Sequence, residues 1–158
     1  MTLKRLKLGL IILLVILNVI LLNLNKITPD TRFLYSFKRL NEKIYLSLKP
    51  SPGQRLDYLF ILLEERRNEL AYVVEKGNSH YVLKSAQRYS TTAGEITELI
   101  LNNNLYDQAK VAQERFRTHL PLIAELITKY PKNDDEIKFV KDDVNYLNIY
   151  LEKLQTLK

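Results

Sequence analysis

The sequence predicts an all-α protein, with a single N-terminal transmembrane helix followed by a compact bundle of about four or five helices. Residues 8–24 read LGLIILLVILNVILLNL, an apolar run long enough to span a bilayer. In the rest of the chain apolar residues recur every three or four positions, and the four glycines and five prolines fall mostly between these periodic segments. The chain has no cysteine, which excludes disulfides, thiol catalysis and cysteine metal sites.

Residues 8–24 follow Lys4, Arg5 and Lys7, as in a signal peptide or a signal-anchor. Because no small-residue cleavage site follows, the sequence favours an uncleaved signal-anchor. As a helix the run would rise about 25 Å, close to the roughly 30 Å hydrocarbon core. Asn18 lies near its middle and is a candidate contact with a second membrane helix, although a lone Asn is also tolerated without a partner.

Two domains are predicted: residues 1–27 as a cytoplasmic tail and transmembrane signal-anchor, and residues 28–158 as an extracytoplasmic helical domain. Basic residues on the two sides of the apolar run are nearly balanced. The N-terminal tail is very short and strongly basic, whereas long C-terminal domains translocate largely regardless of charge. We therefore expect a single-pass protein of the cytoplasmic membrane, with the N-terminus inside and the helical domain outside.

The first helix after the anchor is predicted over about 32–48 and ends before Pro50. Its amphipathic stripe consists of Phe33, Phe37, Leu40, Ile44 and Leu48. A second helix should begin with Ser51 as N-cap and Pro52 at the first position, and should end at Gly77.

The third helix is predicted to use Ser79 as its cap and to end at the Asn102–Asn104 run, with Gly94 weakening its middle. The fourth covers about 105–127, and Pro121 should kink or split it. Asn133 and Glu136 form a capping-box pattern for the last helix. That helix has an apolar stripe of Ile137, Val140, Val144, Leu147, Leu151 and Leu154.

Two stretches carry a recognisable order of residues: TPDTRFLYSFKRLNEK, which begins at Thr28, and LLEERRNEL, which begins at Leu62. They resemble the uncharacterised bacterial family called domain of unknown function 5667, with about residues 28–77 matched best. The resemblance implies an extracytoplasmic or membrane-associated helical module. It brings no established activity and no catalytic residue.

The same stretches contain charged residues one helical turn apart, which are candidates for an interhelical polar network. They are Lys38, Arg39 and Glu42 on the first helix, and Glu65, Arg66 and Glu69 on the second. Arg66 interrupts an apolar seam, seven residues after Leu59 and seven before Val73. A charge at that position requires a partner, and Glu42 is the best candidate. A polar pocket for a ligand is the alternative interpretation.

No known catalytic pattern is present in the sequence. His80 and His119 lie on different predicted helices, without a metalloprotease motif, a phosphate-binding glycine loop or a nucleophile elbow. The acidic residues between 134 and 143 lack the glycine turn and oxygen spacing of an EF-hand and indicate at most weak cation binding. We therefore predict no enzymatic activity, no cofactor and no resident metal.

The net charge of +6 includes three charges that flank the anchor, so the helical domain is only mildly basic. Its densest basic stretch, 26–49, suits anionic headgroups better than nucleic acid, and no nucleic-acid partner is expected. The predicted function is a membrane-anchored, non-enzymatic interaction or sensory module of the cell envelope. Its partners would be the bilayer, through residues 8–24, and an envelope or membrane protein. A small-molecule or metal-binding envelope domain is the alternative.

Overall fold

The structure is a computed structural model, which describes residues 27–130 and 135–157. These residues form five α-helices. In chain order they are α1 (Arg32–Ser47), α2 (Pro52–Glu75), α3 (Ser79–Asn102), α4 (Tyr106–Lys129) and α5 (Ile137–Gln155). Those two ranges contain no β-strand, and the predicted all-α class and number of bundle helices are confirmed.

The predicted anchor lies outside the described residues, as does Asn18. Among the residues that are described, no helix has the length and apolarity needed to cross a membrane.

The chain divides into two compact units between Asn41 and Glu42, within α1. In the second unit, α3 packs against α2, α4 and α5, and α4 likewise packs against α2, α3 and α5. The buried face of α3 alternates large and small side chains, which lets the neighbouring helices approach closely. The hydrophobic residues of that face are Val82, Ala86, Tyr89, Ala93, Ile96 and Ile100.

Local sequence signals account for both ends of α2. The Ser51 hydroxyl accepts a hydrogen bond from the Gln54 backbone N–H at 3.3 Å, and Pro52 occupies the first helical position. At the other end Gly77 has a φ of 63°. The Gly77 N–H donates to Val74 at 3.0 Å, and the Asn78 N–H donates to Val73 at 2.9 Å. These two bonds form a Schellman motif, whose left-handed residue favours glycine.

Three predicted details of the later helices differ from the structure. The N-cap of α3 is Asn78 rather than Ser79, and its side chain makes no capping hydrogen bond. Pro121 does not split α4, which is continuous across it. Pro121 has no N–H to donate to the carbonyl of Arg117, four residues earlier. Both residues are exposed, so water can donate a hydrogen bond to that carbonyl instead. α5 begins after Glu136, which makes no side-chain cap, and Asn133 lies outside the described residues.

Gly94 has a packing role in the middle of α3. A Cβ at this position would lie 2.9 Å from the Tyr150 hydroxyl oxygen on α5. The glycine therefore allows α5 to bring a tyrosine ring against α3, which compensates for its low helix propensity.

Helix α1 is amphipathic as predicted, but its polar side is the buried one. Phe33 is 84% exposed and Leu48, just beyond the helix, is 71% exposed. The other members of the apolar stripe, Phe37, Leu40 and Ile44, are exposed as well. Its buried side chains are Tyr35, Lys38 and Glu42. The stripe is therefore an apolar surface rather than a part of the core.

Candidate functional site

Arg66 lies at the centre of a buried ion cluster. The side chain is 0% exposed, at the middle of the buried face of α2. Its Nη1 donates to Glu69 Oε1 at 2.7 Å, and its Nη2 donates to Glu42 Oε2. One guanidinium thus binds two carboxylates, one on its own helix and one on α1. A planar, permanently charged guanidinium suits this two-sided role better than an ammonium ion.

The charges of the cluster influence the pKa of Tyr58 on α2. Burial raises the pKa of Tyr58 to about 12, and the negative charges of Glu42 and Glu65 add to this effect. The phenol therefore stays protonated at neutral pH.

Among the residues predicted to form the polar network, Arg66 forms ion pairs with Glu42 and Glu69. Glu65 is half-buried on α2. Lys38 is buried and Arg39 is half-buried on the part of α1 that belongs to the first unit. Because Arg66 is fully buried, its guanidinium is inaccessible to a ligand and acts as a structural centre.

A second polar cluster, which was not predicted from the sequence, surrounds His119 on α4. The ring is 2% exposed. Its Nδ1 lies 3.1 Å from the Tyr89 hydroxyl on α3, and its Nε2 lies 2.8 Å from Glu64 Oε1 on α2. With Nε2 protonated, the ring donates to the carboxylate and accepts from the phenol. Both ring nitrogens are then satisfied in the neutral form.

Burial lowers the pKa of His119, and this effect exceeds the opposing influence of Glu64. Burial also acts to raise the pKa of Glu64, but the hydrogen bond from His119 and the charge of Arg67 outweigh it, so that this pKa is lowered. The cluster therefore contains a neutral imidazole and an ionised carboxylate at neutral pH. It connects α2, α3 and α4 through polar contacts.

The outer side of the His119 cluster opens to solvent. Two cavities of about 320 Å³ and 310 Å³ share Glu64 and Arg115 in their walls, and His119 lines the smaller one. Arg115 lies 3.7 Å from Glu64, and its guanidinium also lies over the Phe60 ring, 4.8 Å from the ring centroid. These contacts neutralise the carboxylate, so the cluster presents little unbalanced charge to the cavities.

We expect His119→Ala to lower the free energy of unfolding by about 2–3 kcal/mol, because it opens a cavity and leaves the buried Tyr89 hydroxyl without this partner. Urea denaturation followed by circular dichroism of the full chain in detergent micelles measures the change. His80→Ala is the matched control, since His80 is exposed at the start of α3. Equal stability of the two variants would contradict a structural role for His119.

The acidic residues near the start of α5 do not gather into a cation site. Asp135 and Asp142 are exposed, whereas Asp143 is buried, and Asp134 lies outside the described ranges. Across residues 27–130 and 135–157, no group of three or more histidine, aspartate or glutamate side chains is placed to hold a metal ion.

Comparison with known protein families gives a match over most of the chain. The model of the family described as Domain of unknown function (DUF5667) matches residues 26–145. No curated protein and no solved structure matches the chain.

Proposed function

Because the chain belongs to the DUF5667 family, whose description names no activity, we propose a function from its own residues: it is a membrane-tethered, non-enzymatic interaction module of the cell envelope. Residues 8–24 span the cytoplasmic membrane with the N-terminus inside. The helical domain then lies outside and offers binding surfaces. The observation that carries this proposal is the outward apolar side of α1.

A helix in contact with water normally buries its apolar stripe, because each exposed apolar side chain forgoes about 1.5–3 kcal/mol of burial. In α1 the stripe beginning with Phe33 and Phe37 is exposed, while Lys38 and Glu42 are buried. Contiguous exposed apolar surface of this kind is typical of sites that bind a membrane or another protein. A helix that lies at the surface of a bilayer buries such an apolar side at the boundary of the hydrocarbon core.

The chain length between the apolar run and α1 agrees with this assignment. The run ends at Leu24 and α1 begins at Arg32. The connecting segment can extend at most about 25 Å. A turn shortens it further, since the Thr31 N–H donates to the Thr28 carbonyl at 3.1 Å. The start of α1 would therefore lie within reach of the membrane surface, where Lys26 and Arg39 suit anionic headgroups.

The polar clusters support a binding role rather than catalysis. The Arg66 guanidinium is neutralised by two carboxylates and is fully buried. Both nitrogens of His119 are occupied by hydrogen bonds within the protein. Neither the Arg66 guanidinium nor the His119 ring therefore offers a free basic nitrogen to a substrate, and the Glu64 carboxylate that lines the cavities is already engaged by basic side chains and His119.

We expect the full-length chain to stay with the membrane fraction after extraction at alkaline pH. Leu13→Arg combined with Ile16→Arg should release most of it, since each arginine near the centre of a span costs about 2.5–3.5 kcal/mol. Val111→Arg with Ile149→Arg is the matched control, because both positions are exposed in the second unit. Immunoblots of the membrane and soluble fractions give the readout.

Two further measurements sharpen this test. A photoreactive probe dissolved in the bilayer should label Phe33 and Phe37 and spare Val111 and Ile149, as mass spectrometry would show. Protease added to intact spheroplasts should digest the helical domain. Extraction of the wild-type chain would contradict the tether, and protection of the domain from protease would contradict its outside location.

A further inference from the structure

The second unit contains a cleft where α1 ends, α2 begins and α3 ends. Its volume is about 530 Å³. This value falls within the range of about 300–1,000 Å³ that is typical of small-molecule sites. Leu59 and Leu99 supply part of its nonpolar lining. None of the residues predicted as polar-network members lines this cleft.

The lining of the cleft contains both basic and acidic side chains. The basic ones are Lys43 and Arg55, from α1 and α2. The acidic ones are Glu95 and Glu98, both from α3, and Glu98 is close to the C-terminal end of that helix at Asn102. The carbonyl groups at a helix C-terminus add to the preference for a cation there.

The basic side chains of the lining are not paired with Glu98. In the part of the chain that the structure describes, no ion pair joins Lys43 or Arg55 to Glu98. The Arg55 Nε donates to the Lys49 carbonyl oxygen at 3.1 Å, which holds the guanidinium at the edge of the cleft. The lining of the cleft thus combines nonpolar side chains with basic groups and a carboxylate that are not paired with each other.

We propose that this cleft binds a short peptide with free termini, its carboxylate facing Lys43 and Arg55 and its ammonium group facing Glu98. Nonpolar side chains of the peptide would cover the leucines of the lining. A guanidinium and an ammonium ion recognise a carboxylate through charge-assisted hydrogen bonds, and a carboxylate recognises an ammonium ion in the same way. The cleft volume suits a di- or tripeptide better than a folded partner.

This proposal gives the interaction module a ligand class, and it rests on the proposed binding role but not on the membrane tether. If the chain binds the peptide but is readily extracted from membranes, the proposed membrane tether is wrong and the proposed peptide site stands. A firmly anchored chain that does not bind peptide would overturn the cleft and leave the tether.

The test is isothermal titration of the full-length protein in detergent micelles with the tripeptide Ala-Leu-Ala. We expect a Kd below about 1 mM for the peptide with free termini, and a loss of about tenfold or more when either terminus is capped by acetylation or amidation. Absence of heat up to about 10 mM, or equal binding of the capped peptides, would overturn the proposal.

Variants test which side chains of the cleft bind each terminus. Glu98→Gln should weaken binding of the free peptide about tenfold and leave the acetylated peptide unchanged. Lys43→Gln with Arg55→Gln should abolish the discrimination between the free and the amidated C-terminus. Glu152→Gln and Lys110→Gln are controls, since both positions are exposed and lie outside the cleft. All these substitutions are at exposed positions, and far-UV circular dichroism verifies folding before titration.

Discussion

Replacement of Arg66 by methionine is expected to destabilise the helical domain more than any other single change considered for this protein. The substitution leaves the buried carboxylates of Glu42 and Glu69 without the guanidinium that binds both. Breaking a buried ion pair in this way costs about 3–5 kcal/mol. Domains of this kind are stable by only about 5–15 kcal/mol, so a large part of the stability would be lost.

Urea denaturation followed by circular dichroism of the full chain in micelles measures the effect. Arg117→Met is the matched control, because Arg117 is exposed on α4 and its loss should change the unfolding free energy by less than about 0.5 kcal/mol. The triple variant Arg66→Met, Glu42→Gln, Glu69→Gln should recover most of the lost stability, since it leaves no buried charge in the cluster. A single Arg66→Met variant as stable as the control would contradict a structural role for this cluster.

The second large effect is a pH dependence caused by Asp143 on α5. Burial raises the pKa of this carboxyl to about 8, the repulsion from Asp142 adds to the effect, and a hydrogen bond with Ser90 opposes it. The aromatic neighbours Tyr89 and Tyr150 face the same carboxyl, and each has its own pKa raised, mainly by burial. Asp143 Oδ2 has no hydrogen-bond partner within the residues described.

Because the folded pKa of Asp143 lies above the ordinary aspartate value of 3.8, the folded state binds more protons than the unfolded state between pH 3.8 and about 8. The stabilisation that the protonated Asp143 carboxyl contributes is fully present below pH 3.8, and it is lost as the pH rises through about 8. Each unit of pKa difference corresponds to about 1.4 kcal/mol. We therefore expect Asp143→Asn to be more stable than the wild-type chain at pH 9, by about 2 kcal/mol or more.

Unfolding free energies at pH 5, 7 and 9 test this prediction. His119 contributes a dependence of opposite sign, since its lowered pKa makes the domain lose stability as the pH falls below about 6.5. Both chains contain His119, so its contribution cancels in the difference between the unfolding free energies of Asp143→Asn and the wild-type chain at each pH. Asp142→Asn is the control, because its carboxylate is exposed. A stability difference that does not change with pH would contradict the assignment to Asp143.

Much of the fold was predictable from local signals. The cap at Ser51 and the stop at Gly77 gave both ends of α2, because such signals act within one helical turn. The position of Arg66 in an apolar seam was sufficient to expect a charged partner on the first helix. The cap of α3 and the continuity of α4 through Pro121 were missed, since solvent exposure and local backbone geometry decide them.

The sequence did contain a signal for two buried ionisable residues of α4 and α5, His119 and Asp143. His119 lies three residues after Phe116 and four before Ile123, within the buried side of α4. Asp143 has the same relation to Val140 and Leu147 in α5. Leu120 directly follows His119, and Val144 directly follows Asp143. The predicted apolar stripes pass through Leu120 and Val144, and they therefore assigned His119 and Asp143 to the solvent-exposed side of their helices.

The sequence by itself determined the helices, most of their ends and the side chains that share one side of each helix. It determined this because helical periodicity and capping depend on residues within a few positions of one another. Only the tertiary structure decided which side of each helix is buried. It buried the polar side of α1 and brought Glu64, Tyr89 and His119 together from three helices. Such choices depend on packing between residues far apart in the chain, and no local pattern specifies them.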